Sequence, residues 1–192
     1  MGKILCFVYD TMADFEMTLA AFVLADAKRE IIPVGLTKAP VQAMSGLLYL
    51  PAATLDDVLG YDDVDGLIIP GGMGKEHPAA LTRLIKRLDE QGKLLAAICA
   101  GPKYLARAGV LHGRKYTTTA DEEYLGRTGW ANPFPDKGFV NQHVVRDGNV
   151  ITSTGSAFVD FAVEIADFLG LFTKPGEKEM WAKEFKGLNE LR

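Results

Sequence analysis

Leu94-Leu95-Ala96-Ala97-Ile98-Cys99-Ala100-Gly101-Pro102 is the stretch on which the reading of this chain turns. Leu94 to Ile98 is an apolar run that reads as a buried strand, and a helix starts directly after it. Cys99 therefore stands at a sharp strand-to-helix turn, facing a helix N-terminus. There the helix dipole and unpaired N–H groups favour a thiolate over a thiol. Ala97 and Gly101 flank the cysteine two positions away on each side, as a tight elbow requires. The spacing is that of the G-x-S-x-G nucleophile elbow with sulfur in place of oxygen. Cys99 is read as a reactive nucleophile. A buried, inert cysteine is the alternative, and it leaves the elbow spacing without a reason.

Outward from this elbow, apolar runs alternate with helical patterns. Strands are expected at Ile4–Tyr9, Ile31–Leu36, Leu47–Leu50, Gly66–Pro70, Leu94–Ile98, Lys115–Thr118 and Val150–Ser153. Helices are expected at Asp14–Lys28, Pro78–Gln91, Pro102–Ala108, Ala120–Arg127, Ala157–Leu169 and Glu177–Lys186. Gly92, Gly109 and Gly170 stand just past three of these helices, where C-cap glycines belong. Arg146-Asp147-Gly148-Asn149 reads as a hairpin turn. Near-continuous apolar strands separated by amphipathic helices give an α/β fold: a doubly wound, mostly parallel sheet with helices on both faces. No linker divides the chain, so one domain over 1–192 is expected, with 175–192 a C-terminal helical extension. The apolar spacing from Met180 to Leu188 suits packing on the same domain or, alternatively, a dimer contact.

Ligands of such sheets bind beyond the carboxyl ends of the strands, and three features converge on that edge. Cys99 follows its strand at once. Pro70-Gly71-Gly72-Met73-Gly74 follows Leu67-Ile68-Ile69, and its N–H groups, with that of Ala100, could form an oxyanion hole; a plain tight turn is the alternative. Neither Walker nor dinucleotide glycine spacing is present. Glu16 follows the first strand in a mostly apolar segment. In a dry site its pKa would rise, and it could donate a hydrogen bond to the sulfur. A solvated glutamate at a helix N-terminus is the bland reading. Cys6, inside an apolar strand, is read as core. His77, His112 and His143 do not neighbour Cys99 in sequence; His77 and His143 are the candidate bases, and His112 reads as a surface residue.

The chain has 192 residues, 48% hydrophobic, with a formal net charge of −4. That suits a globular domain with a sizeable core. The mildly acidic balance, with no basic run longer than two, argues against nucleic acid or an anionic membrane as partner. Two cysteines imply no disulfide framework and suit a reducing cytoplasm. The N-terminal apolar run ends at Asp10, too early for a signal peptide, and no segment is long enough to span a membrane.

Ala97-Ile98-Cys99-Ala100-Gly101-Pro102, Tyr61-Asp62 with Leu67-Ile68-Ile69-Pro70-Gly71-Gly72, and Glu16 after the first strand together resemble the ThiJ/PfpI superfamily. Val150–Ser153 followed by Gly155 fits that family's last strand and helix, and the likeness runs through Asp167-Phe168-Leu169-Gly170. The superfamily includes a parkinsonism-associated deglycase, intracellular proteases and glyoxalase III enzymes. The resemblance implies a flavodoxin-like fold akin to class I glutamine amidotransferases. It implies a nucleophile at Cys99, a protonated glutamate at Glu16 and oxyanion-hole amides at Gly72 and Ala100, and, by family habit, a homodimer. No cofactor and no metal is expected.

Two positions depart from the pattern. The protease-type members place a histidine directly after the cysteine, where this chain has Ala100. The deglycase-like members place one after a Thr-Thr strand end, where this chain has Thr119. Residues 121–137 are expected to form a lid or pocket wall, with Gly71, Thr119 and His77 as pocket residues. The resulting expectation is a cysteine-dependent enzyme acting on small carbonyl, amide or peptide substrates. The rival is a redox or stress-response protein whose cysteine oxidises; a glutamine amidotransferase-like protein is the weaker third reading, since no Cys–His–Glu triad is recognisable.

Overall fold

The computed structural model describes residues 2–189. In chain order its strands are β1 (Lys3–Phe7), β2 (Glu30–Gly35), β3 (Val41–Gln42), β4 (Leu48–Tyr49), β5 (Ala53–Thr54), β6 (Val64–Ile69), β7 (Leu94–Ile98), β8 (Val144–Asp147) and β9 (Val150–Ser153). The helices are α1 (Phe15–Asp26), α2 (Leu55–Val58), α3 (Ala79–Glu90), α4 (Pro102–Arg107), α5 (Glu122–Thr128), α6 (Phe158–Phe168) and α7 (Glu177–Phe185). Seven strands form one sheet in the order β5-β2-β1-β6-β7-β9-β8. All neighbours are parallel except β8 and β9.

The central strands are apolar on both faces because both faces are covered. All five residues of β7 are buried, as are five of the six in β6. Helices α1 and α6 pack against each other on one face; α3 packs on β6 and β7 and touches α2 and α4. Past α3, Gly92 adopts a left-handed φ of 64°, and the N–H of Lys93 reaches back to Leu88 O at 2.8 Å. This is the bond pattern of a Schellman cap. The chain leaves β1 for β2 on one side and later returns to β6 on the other. The carboxyl ends of β1, β6 and β7 thus lie side by side at the crevice where the winding reverses.

Two expectations need correction. Lys115–Thr118 is no strand: Tyr116 makes one isolated bridge to Phe139, and the N–H of Thr117 goes to the hydroxyl of Thr152 at 2.9 Å. The antiparallel edge is instead β8, joined to β9 through the anticipated turn at Gly148. Of Leu47–Leu50, only Leu48–Tyr49 is extended, and it pairs with Val41–Gln42 in a separate hairpin outside the main sheet. The edge pair β5 and α2 was not anticipated, although Thr54 and Asp57 carry a reciprocal capping box at 3.1 and 3.0 Å.

Within the expected 175–192 extension, α7 rests on α6. Lys178 reaches Glu164 and Asp167, and Lys186 reaches Asp160, while Trp181 meets Phe172 and Phe185. This is packing on the same chain, and its half-exposed ion pairs add little stability. Residues 190–192 lie outside the described residues. No described helix is long and apolar enough to cross a membrane.

Candidate active site

Cys99 occupies the turn between β7 and α4 with φ +60°, a left-handed conformation that disfavours any side chain with a Cβ. Such strain amounts to about 1–3 kcal/mol and persists only where the surroundings over-determine it. Here both ends of the residue are tied. The Cys99 N–H donates to Ser153 O at 2.8 Å, extending the β7–β9 pairing by one residue. Its carbonyl accepts from the Thr119 N–H at 3.0 Å and the Thr118 hydroxyl at 2.8 Å. The small elbow residue is a steric necessity as well. A Cβ on Gly101 would lie 2.5 Å from Ile69 O.

Glu16 lies in the first turn of α1 and is only 3% exposed. Its Oε2 accepts the Gly71 N–H at 2.7 Å, and the carboxyl group faces the Cys99 side chain closely enough for each to shift the other's titration. Gly155, just past β9, walls the pair from the other side. A Cβ there would sit 2.9 Å from Glu16 Oε1 and 3.1 Å from Cys99 Sγ, so only glycine leaves the carboxyl and the sulfur in contact. The Thr119 hydroxyl donates to Sγ at 3.0 Å.

Electrostatics differ from the sequence expectation. Burial pushes the Cys99 thiol up to about 11, and the charge of Glu16 pushes the same way; the hydrogen bonds from Thr119 and the Ala100 N–H only partly oppose them. The thiolate-favouring helix end is weak because α4 has six residues and starts at Pro102, which has no N–H to offer. Burial also raises Glu16 above the usual carboxylate value, against the opposing effects of Cys99 and the Gly71 N–H. Two buried acids in contact do not ionise together, so the pair carries at most one negative charge. With the proton on Glu16, the carboxylate charge that raises the thiol is gone.

The glycine loop is held by its carbonyls. Gly71 O accepts from the Tyr9 hydroxyl at 2.8 Å and from the Ala13 N–H at 2.8 Å. Within one peptide plane N–H and C=O point in opposite directions, so the Gly72 N–H is aimed away from Tyr9. It has no acceptor among the described residues, and Gly72 itself has φ +132°. The Ala100 N–H is directed at the Cys99 sulfur.

Of the residues singled out in the sequence, Glu16, Gly71, Thr119 and Ala100 meet at Cys99. His77 does not. Its Nε2 pairs with Thr82 Oγ1 at 3.2 Å, and its ring stacks on Tyr104. His143 Nδ1 meets Thr154 Oγ1 at 3.3 Å, and His112 is exposed. Among the described residues no imidazole hydrogen-bonds the sulfur. Cys6 is buried in β1, with its thiol pushed up to about 12 by desolvation.

Thr119 also lines a cavity of about 730 Å³ with Tyr116, Thr118, Asn132, Phe134 and Phe139. Residues from the 121–137 segment form part of its wall. Lys103 and Tyr124 were not anticipated: the lysine is completely buried behind the glycine loop. A lysine four residues after the cysteine reads as a solvated helix side chain, and nothing local signals otherwise.

The DJ-1/PfpI family model matches residues 2–167. The chain is 28% identical over 195 residues to the uncharacterized protease YoaZ of Bacillus subtilis, covering 94% of this chain and 89% of that one. It is 27% identical to the deglycase PfpI of Pyrococcus furiosus, covering 95% and 96% of the two chains. A crystal structure of a DJ-1 superfamily protein from Agrobacterium tumefaciens superposes with a TM-score of 0.81 at 33% identity, covering 99% and 100%.

Proposed function

Since this chain belongs to the DJ-1/PfpI family, we propose that it is a cysteine-dependent enzyme acting on reactive carbonyl carbons, free or carried as adducts on larger molecules. The observation that carries this reading is the contact between the buried Glu16 carboxyl and Cys99, at a sulfur with no imidazole partner among the described residues. Transfer of the thiol proton to Glu16 gives a thiolate beside a carboxylic acid. The thiolate forms a C–S bond to the carbonyl carbon, and the π electrons move to oxygen. The N–H groups of Gly72 and Ala100 receive that oxygen, and the Glu16 proton neutralises it. One proton is moved and returned, which one carboxyl group can do. Hydrolysis of an amide also requires protonation of a poor leaving group, and histidine is missing at both positions where the family's relatives would place it. The relatives' names support either chemistry; the site favours the carbonyl.

The cavity beside Thr119 falls in the range that accepts a drug-sized ligand. It is large for a three-carbon aldehyde and suits a carbonyl adduct on an amine or peptide. The test is a substrate panel at matched concentrations. Methylglyoxal and methylglyoxal-modified amino acids are expected to be consumed while unmodified peptide amides are not. Peptide cleavage with methylglyoxal untouched would overturn the reading.

The same reading includes a homodimer. Met44, Leu47, Leu48 and Leu50 around the β3–β4 hairpin are 60–70% exposed, and Phe15 and Phe22 of α1 expose 53% and 62%. Asp14 accepts hydrogen bonds from Ser45 and Tyr49 and so ties that hairpin to α1. Together they make one apolar surface of the kind that associates. Light scattering on the eluting protein is expected to give twice the chain mass, and Leu48→Glu to give the monomer.

A further inference from the structure

Lys103, in the first turn of α4, has no solvent exposure. Its Nζ donates to Gly74 O at 2.8 Å and to the Tyr124 hydroxyl oxygen at 2.7 Å. It also faces three rings, 4.9 Å from the centroid of Trp130, 5.0 Å from Tyr124 and 5.1 Å from Tyr104. Among the described residues it forms no ion pair. Burying an ammonium this way is costly unless something nearby uses the charge. The Tyr124 hydroxyl passes its own proton on to Gly72 O, and Trp130 Nε1 donates to the same Gly74 carbonyl at 3.1 Å. The ammonium is therefore two hydrogen bonds from the Gly72 carbonyl and one from that of Gly74.

We propose that Lys103 is a positioning residue and the buried cation of this site: through Tyr124 it fixes the glycine loop facing Cys99, and its charge stabilises the negative sulfur and oxyanion. The inference rests on reading Cys99 as the nucleophile. It is consistent with the titration behaviour of the group. Burial lowers Lys103 to about 8, while negative charge at Cys99 raises it. The other ionisable groups facing this pocket are Tyr9, Tyr104 and Tyr124, all pushed up by burial, with Glu16 beyond Cys99. Glu76 acts on Tyr104, Arg127 on Tyr124, and Arg107 on His77.

A buried lysine that serves packing alone can be exchanged for an apolar residue of similar length with little change at Cys99. Lys103→Met separates the two cases through the pH dependence of Cys99 alkylation by iodoacetamide, read by mass spectrometry. The wild-type rate profile is expected to show an inflection near 8, where Lys103 loses its charge. Lys103→Met should lack it and react about tenfold more slowly at pH 7, the effect of one pH unit on the thiol midpoint. A folded variant with an unchanged profile overturns the proposal. Should Lys103→Met fail to fold, coupling is read from the other side, since it is reciprocal. The Lys103 ¹³Cε titration is expected to move to lower pH in Cys99→Ala, and an unmoved midpoint overturns the proposal as well. Neither readout needs turnover. Full turnover by Cys99→Ala would refute the nucleophile, whereas an unshifted profile refutes only the role of Lys103.

Discussion

Cys99→Ala is expected to abolish consumption of methylglyoxal, lowering kcat by about 10⁴-fold or more, while the protein stays folded. The size follows from the lack of a substitute. Around the sulfur stand a carboxyl, the Ala100 N–H and the Thr119 hydroxyl, and an unactivated hydroxyl adds poorly to a carbonyl at neutral pH. The N–H groups of Gly72 and Ala100 alone would leave only the residual acceleration that an oxyanion hole provides. The fold should survive because alanine, like cysteine, carries a Cβ, so the strain at φ +60° is unchanged, and the bonds to Ser153, Thr118 and Thr119 are made by the backbone. Steady-state kinetics and a thermal melt decide it. Full turnover by the variant would remove Cys99 from the mechanism. Wild-type protein without turnover, but taking up peroxide oxygen selectively at Cys99, would establish the oxidisable-thiol reading instead.

Cys99 and the glycine loop were legible in the sequence because each follows an apolar strand directly, and Glu16 because it lies in an apolar segment after the first strand; a parallel sheet brings these strand ends to one edge. The chemistry of that edge was less legible. The helix dipole argument pointed to a low thiol pKa, yet burial and Glu16 push Cys99 up to about 11; desolvation depends on neighbours distant in the chain. Lys103 shows the same limit from the other side. Its burial depends on Tyr124 and Trp130, more than twenty residues away, and a lysine on a helix ordinarily points to water. Lys115–Thr118 has strand propensity but spends its polar groups on Thr152 and Cys99, because the place beside β9 is taken by β8. Tertiary competition overrode local preference there. At Thr54–Asp57 the signal was present in the sequence, as a capping pattern that starts on the last residue of an edge strand of only two residues.

Glu16→Gln is expected to lose about 10²–10⁴-fold in turnover, the range of general acid–base catalysis, and at the same time to raise the melting temperature at neutral pH. The two effects have one cause. Burial raises the folded-state pKa of Glu16, so the native state favours the protonated carboxyl. Below the unfolded-state value of about 4.3 both states are protonated and that preference contributes fully. As pH rises through the folded value it is lost, because the carboxyl must ionise inside the protein or hold its proton against solution. Glutamine never ionises. The stability gain of Glu16→Gln should therefore be clear at pH 7–8 and vanish as pH approaches 4. The Gly71 N–H keeps an acceptor in the glutamine carbonyl, so the loop stays anchored. Loss of the carboxylate charge also removes the second largest cause of the raised thiol, and the alkylation midpoint of Cys99 should fall. A variant that is more stable, with a more easily ionised thiol, and yet nearly inactive isolates proton transfer as what Glu16 contributes. Unchanged kcat would overturn that role; a melting temperature equally lowered at pH 4 and pH 8 would show that Glu16 serves only to anchor Gly71.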